Sequence, residues 1–193
     1  MKEKAVVRMD AHGALERLKA GNHSYREASL NEGDISRAAR AATSQEGQHP
    51  YAIVIACSDS RVVPEHIFMA GIGELFTIRV AGNVVGPLEA ASVAYAATHV
   101  QVPLVLVLGH TRCGAVEAAL SGGAQGCMVP LTDAIIKAIG DEHDDHAASR
   151  LNVLSQIRRL LAVDEIAELV DGGSLAVAGA LYRVEDGEVE FFQ

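Results

Sequence analysis

The chain has 193 residues, nearly half of them apolar, with 4% aromatic side chains and no tryptophan. That length suits one domain with its own core, and Val, Ile, Leu and Ala must supply most of it: a β-branched sheet packed by alanine- and leucine-rich helices. A formal charge of −9 argues against nucleic-acid or anionic-membrane partners, and three cysteines do not make a secreted disulfide framework.

Met1-Lys2-Glu3-Lys4 is followed by no apolar core of signal-peptide length. The longest apolar runs, around 51–57 and 102–109, are far too short to span a bilayer. A soluble, cytoplasmic protein is expected.

Residues 10–29 predict a first helix, with Asp10 as N-cap and Ala14, Leu15, Leu18 and Ala20 at helical spacing. The stretch to Pro50 is polar, with Ala38–Ala42 as a helical turn. Residues 1–49 thus read as an N-terminal helical arm ahead of an α/β core at 50–193, within a single domain 1–193. This leading helix has no place of its own in the sheet and is expected to wrap onto a neighbouring subunit.

Strand one is Tyr51–Cys57, and Pro64 opens a short helix through Ala70. Strand two is Leu75–Val80, and Pro87 opens an alanine-rich helix to His99. Strand three is Pro103–Gly109, followed by a helix from Gly114 to Leu120. Pro130–Ile139 reads as helical, and residues 141–146 as a charged, solvated connection. Helices follow at Ala147–Leu161 and Asp164–Val170. Ser174–Val184 is strand four, and Asp186-Gly187 is a hairpin turn into Glu188–Phe192. The order predicts an α/β fold: a mostly parallel central sheet of four strands plus an antiparallel edge strand, flanked by helices.

Two strand ends carry the chemistry. Strand one runs into Cys57-Ser58-Asp59-Ser60-Arg61, and in an extended segment residues two apart share a side, so Cys57, Asp59 and Arg61 converge. Strand three runs into Gly109-His110-Thr111-Arg112-Cys113. Open α/β sheets place their sites at such carboxyl ends. Thiolate and imidazole suit zinc, and a carboxylate can be a fourth ligand, so Cys57, Asp59, His110 and Cys113 form a candidate zinc site.

Four protein ligands would close that site. A bidentate pair with Arg61 would instead draw Asp59 off the metal, leaving Cys57, His110 and Cys113 with an open position for an activated water. No G-x-G-x-x-G follows strand one, and no Ser-His-Asp elbow occurs.

Together, Cys57-Ser58-Asp59-Ser60-Arg61 and His110-Thr111-Arg112-Cys113-Gly114 resemble the paired motifs of the β-class carbonic anhydrases. The resemblance extends to Ala14–Asn22, Gly73–Phe76, Arg79–Asn83 and Val177–Tyr182; only about 121–146 has little to match. It implies a Zn2+ cofactor and reversible hydration of CO2 to bicarbonate and a proton. In such enzymes zinc-bound hydroxide is the nucleophile, and the Asp59–Arg61 pair would orient it.

The resemblance further implies that Gln48 donates a hydrogen bond to substrate, often from the partner subunit, and that Phe76 and Tyr95 wall an apolar CO2 pocket. It implies a homodimer or a tetramer. Some members bind regulatory bicarbonate beside a tryptophan three residues before the first zinc cysteine; Val54 stands there, so no such site is expected. Two other readings stay open at this point: a hydrolase of carbonyl sulfide or carbon disulfide, and a non-catalytic zinc protein with Asp59 permanently on the metal.

Overall fold

In a computed structural model, which describes residues 9–192, five strands make one sheet. They are β1 (Ala52–Ala56), β2 (Leu75–Arg79), β3 (Leu104–His110), β4 (Ala176–Tyr182) and β5 (Val189–Phe192), in spatial order β2-β1-β3-β4-β5. The first four run parallel, and β5 lies antiparallel to β4. The expected Asp186-Gly187 turn forms, with Gly187 at φ 77° and its N–H donating to the Arg183 carbonyl at 2.9 Å.

Every residue of β1 and β3 is buried, as a parallel sheet covered on both faces requires. Alternate residues divide between the faces. Val54, Ala56, Leu104, Leu106, Leu108 and Ala180 meet α1 (Ala11–Glu27) and α3 (Pro64–Ile67). Ile53, Ile55, Val105 and Val107 meet α4 (Pro87–Tyr95), α7 (Asp145–Leu161) and α8 (Asp164–Asp171). Each fully buried Leu or Ile contributes about 1.5–3 kcal/mol, so this two-faced centre dominates stability.

Asp10 caps α1, accepting from the Gly13 N–H at 2.7 Å. Within its own chain, α1 buries Ala14 and Leu18 against the sheet. Asn22 staples it to the hairpin: its Nδ2 donates to the Gly187 carbonyl at 2.8 Å, and its Oδ1 accepts the Val189 N–H at 2.9 Å. The expected turn at 38–42 is a longer helix, α2 (Arg37–Glu46), capped by Ser36. It buries no residue in this chain.

The alanine-rich helix changes form before its expected end at His99. After Tyr95 it widens into a π turn, Ala96–Val100, and the Val102 N–H returns to the Ala96 carbonyl at 3.2 Å. That wider turn redirects the chain into β3. The remaining helices are α5 (Gly114–Leu120) and α6 (Val129–Ile139), which pack with α7 around the two buried cysteines. Helix α7 also lies close on β3. A Cβ at Gly109 would sit 2.6 Å from Val153 Cγ2, so no larger residue fits just before His110.

Candidate metal centre

Strands β1 and β3 are adjacent and parallel, with Ala56 level with Leu108. Their carboxyl ends therefore place Cys57 beside Gly109 and His110. Arg112 then adopts the left-handed conformation, φ 54°, which non-glycine residues rarely occupy. It is held there from two sides. Its N–H donates to Asp145 Oδ2 at 2.8 Å, and its carbonyl accepts from Arg61 Nη2 at 3.0 Å. The reversed chain brings Cys113 back to His110 at the start of α5. As a result, the ligand atoms of Cys57, His110 and Cys113 lie within 4.8 Å of one another, all three residues buried.

This donor set fits zinc. The Nδ1 of His110 lies 2.9 Å from the Thr111 carbonyl, which can only accept, so the proton is on Nδ1. Nε2 is then a bare acceptor, and it is buried without a hydrogen-bond partner. An unpartnered imidazole nitrogen grouped with two sulfurs is a donor set that zinc satisfies. Ring orientation by the opposite nitrogen is how metal-binding histidines are usually held.

The sulfurs suit the same ion. Cys57 is pushed down in pKa, first by the hydrogen bond from Cys113 and, among the smaller causes, by the backbone N–H groups of Asp59 and Gly82. Cys113 is pushed up by that same pairing with Cys57 and by burial. Two thiols this close do not both ionise readily without a cation between them, and a bound zinc ion would remove that conflict.

Asp59 is directed elsewhere. Arg61 Nε donates to its Oδ1 at 2.9 Å and Nη2 to its Oδ2 at 2.7 Å, while the Arg61 backbone N–H reaches Oδ1 at 2.9 Å. The Arg61 guanidinium holds the Asp59 carboxyl well below the usual carboxylate range. Of the four ligands read from the sequence, three form the group of ligand atoms. Asp59 is not part of it.

The other expected site residues lie apart. Phe76 and Tyr95 pair with each other, ring centroids 6.4 Å apart, but Phe76 sits level with Ile53, well before the carboxyl end of the sheet. Gln48 is exposed beyond α2. Within one chain, neither the aromatic pair nor Gln48 joins the three ligands.

Sequence reasoning missed several contributors. Arg79 clamps the loop below Asp59, donating from Nη2 to the Asp59 carbonyl at 2.7 Å and from Nε to the Cys57 carbonyl at 3.2 Å. Gly82 donates its N–H to Cys57 Sγ at 3.2 Å. The run 141–146 is not simply a solvated connection: Asp144 caps α7 and Asp145 anchors Arg112. The Asp144 cap is a local signal, three residues from its partner; the contacts of Arg79, Gly82 and Asp145 join distant residues, so no local spacing marks them.

A family model for carbonic anhydrase matches residues 52–189, which contain all three ligands, Asp59 and Arg61. The β-carbonic anhydrase CcaA superposes with a TM-score of 0.72 at 28% identity, covering 93% of this chain and 95% of that one. The chain belongs to the β-class carbonic anhydrase family. Carbonic anhydrase 2 of Mycobacterium tuberculosis is 35% identical over 153 residues, 73% of each protein. One of two tetrameric β-carbonic anhydrases of Sordaria macrospora superposes with a TM-score of 0.67 at 27% identity, over 80% of this chain and 90% of that one. Carbonic anhydrases of this class use zinc, and the Cys-His-Cys group is placed to bind it.

Proposed function

We propose that this protein is a zinc-dependent carbonate dehydratase that interconverts CO2 and bicarbonate. One observation supports this above all: three donors converge on one point while the fourth potential ligand, Asp59, is engaged by Arg61. A structural zinc site would use four protein ligands, whereas a catalytic one keeps a position open.

Cys57 Sγ, Cys113 Sγ and His110 Nε2 would hold the metal. Bound zinc supplies a Lewis acid that makes a nucleophile from water near neutral pH. Asp59 supplies direction. Arg61 engages Oδ1 twice and Oδ2 once, and the remaining lone pair of Oδ2 can accept an O–H from the attacking water and aim its oxygen at carbon. Arg79 holds the carbonyls of Cys57 and Asp59, keeping ligand and orienting carboxylate at a set separation. The charge on Asp59 is secured by its guanidinium partner, so it stays an acceptor across the working pH range.

The decisive measurement is stopped-flow CO2 hydration with zinc content determined on the same sample. Fast turnover at about one zinc per chain is expected. Zinc-loaded protein inactive even at alkaline pH would instead indicate a non-catalytic metal site. Parallel assays with carbonyl sulfide and carbon disulfide, linear like CO2, should show far weaker turnover.

We further assign the working unit to a homodimer or a tetramer of dimers in a reducing, cytoplasmic setting. Helix α2 buries nothing in its own chain, and beside it Leu30 and Ile35 are 79% and 67% exposed. A second copy covering this segment would bring Gln48 to the partner's site. Free thiols at Cys57 and Cys113 suit a reducing compartment, since oxidation would destroy two ligands. Among the described residues, no helix is long and apolar enough to cross a membrane. Sedimentation of Leu30→Asp/Ile35→Asp should show a shift toward monomer, with zinc retained and hydration lost. An unchanged oligomer with full activity would remove this segment from the interface.

A further inference from the structure

Helix α7 buries two amides beneath the metal centre that the reaction as described does not use. Asn152 and Gln156 are 1% and 0% exposed and sit one turn apart. Gln156 Nε2 donates to Asn152 Oδ1 at 2.8 Å, and Gln156 Oε1 accepts the Val85 N–H at 2.9 Å. Asn152 Nδ2 donates to the Gly82 carbonyl at 2.8 Å, and the Gly82 N–H in turn donates to Cys57 Sγ at 3.2 Å. Hydrogen bonds on both sides of Gly82, joined through its backbone, therefore connect the middle of α7 to a candidate zinc-binding sulfur.

We propose that Asn152 is a positioning residue for the metal centre, acting through Gly82 to keep a backbone N–H on the Cys57 sulfur. The inference rests on the zinc reading above. Gly82 needs such a hold. Its φ is 62°, and a Cβ would lie 2.9 Å from Ile135 Cδ1 and 3.0 Å from Ala115 Cβ, so only glycine fits and only glycine is this free to move. Asn152 grips its carbonyl from below, and Gln156 fixes both Asn152 and the chain beyond Gly82 through Val85. Buried amides are retained at a desolvation cost, which a leucine at either position would avoid. An N–H donated to a thiolate withdraws charge from sulfur and fixes the lone pair that faces the metal. Outer contacts of this kind typically change metal affinity by about 10–100-fold.

The test uses cobalt(II) in place of zinc, because thiolate-to-cobalt charge transfer reports the sulfur directly. Asn152→Leu should shift that band, and zinc should pass from the variant to a chelator about 10–100-fold faster than from the parent protein. Leu160→Ala, a cavity in the apolar part of the same helix, should lower thermal stability while moving neither readout. The proposal is overturned if Asn152→Leu loses stability as Leu160→Ala does yet keeps the parental band and a release rate within about twofold. Should Asn152→Leu not fold, Gln156→Met carries the same two readouts one bond further away, and parental values there overturn the proposal equally. Absence of a thiolate band in the parent protein would instead defeat the zinc reading itself.

Discussion

Replacing His110 with alanine should empty the metal site and reduce CO2 hydration to the buffer background. Nε2 is the only neutral donor of the three, and it is buried with no other hydrogen-bond partner. Its removal leaves two sulfurs whose charges repel and no third bond to hold an ion between them. The loss should exceed the ~10–100-fold typical of contacts outside the coordination shell. Metal content below one-tenth of the parent's is the direct reading.

The same variant separates loss of metal from loss of fold. Zinc should stabilise the parent by mass action, because the assembled site binds it more tightly than the unfolded chain does. Chelator should therefore lower the melting temperature of the parent and leave His110→Ala unmoved. A variant that still bound zinc tightly, or responded to chelator as the parent does, would remove His110 from the ligand set. Cys57→Ser and Cys113→Ser should behave alike, since a hydroxyl is a far poorer zinc ligand than a thiolate.

Asp59→Asn and Arg61→Ala should keep their zinc and lose about 10²–10⁴-fold in turnover, the usual scale for a positioned acid–base group. The contrast with stability makes this prediction sharp. Arg61 is about half exposed, and ion pairs of that kind contribute only about 0–1 kcal/mol to folding. Large kinetic loss with almost no thermal effect marks a group placed for chemistry. In Asp59→Asn an amide N–H faces either the guanidinium or the water, so the bidentate pair is lost along with the charge and one of the two acceptor oxygens. In Arg61→Ala the carboxylate is released and can turn to the metal, closing the open position.

The pH behaviour follows from the direction of the shift. Asp59 is depressed by Arg61, so its contribution is present above the unfolded carboxylate pKa and lost only as pH falls through the lower folded value. The parent should therefore show a constant contribution from this pair across about pH 6 to 9, and the variants, which lack the pair, should fall short of it by the same amount throughout that range. Wild-type activity in either variant would show that the pair is a surface contact and nothing more.

Much of this was legible in the residues alone. Asp10, Pro87 and Gly114 mark helix starts that the structure keeps, and the apolar runs before Cys57 and His110 are the two central strands. The chemistry of the ligands was legible too, because thiolate, imidazole and carboxylate at the ends of buried strands have few uses besides metal binding. Helix lengths were less so. The extent of α2 depends on Ser36 capping a segment with no apolar stripe, and the π turn after Tyr95 depends on how the chain must drop into β3.

Local periodicity and side-chain chemistry were enough to read the fold class, the donor types and the pairing of Cys57-x-Asp59-x-Arg61 with His110-x-x-Cys113. Which partner Asp59 takes, which nitrogen of His110 is bare, and what holds Gly82 against the Cys57 sulfur emerge only in the folded chain. Those outcomes depend on hydrogen-bond geometry between segments far apart in the chain. The Gly82–Asn152 bond spans 70 residues and the Arg61–Arg112 bond spans 51. Such contacts exist only once the sheet has brought the ends of β1 and β3 together under α7.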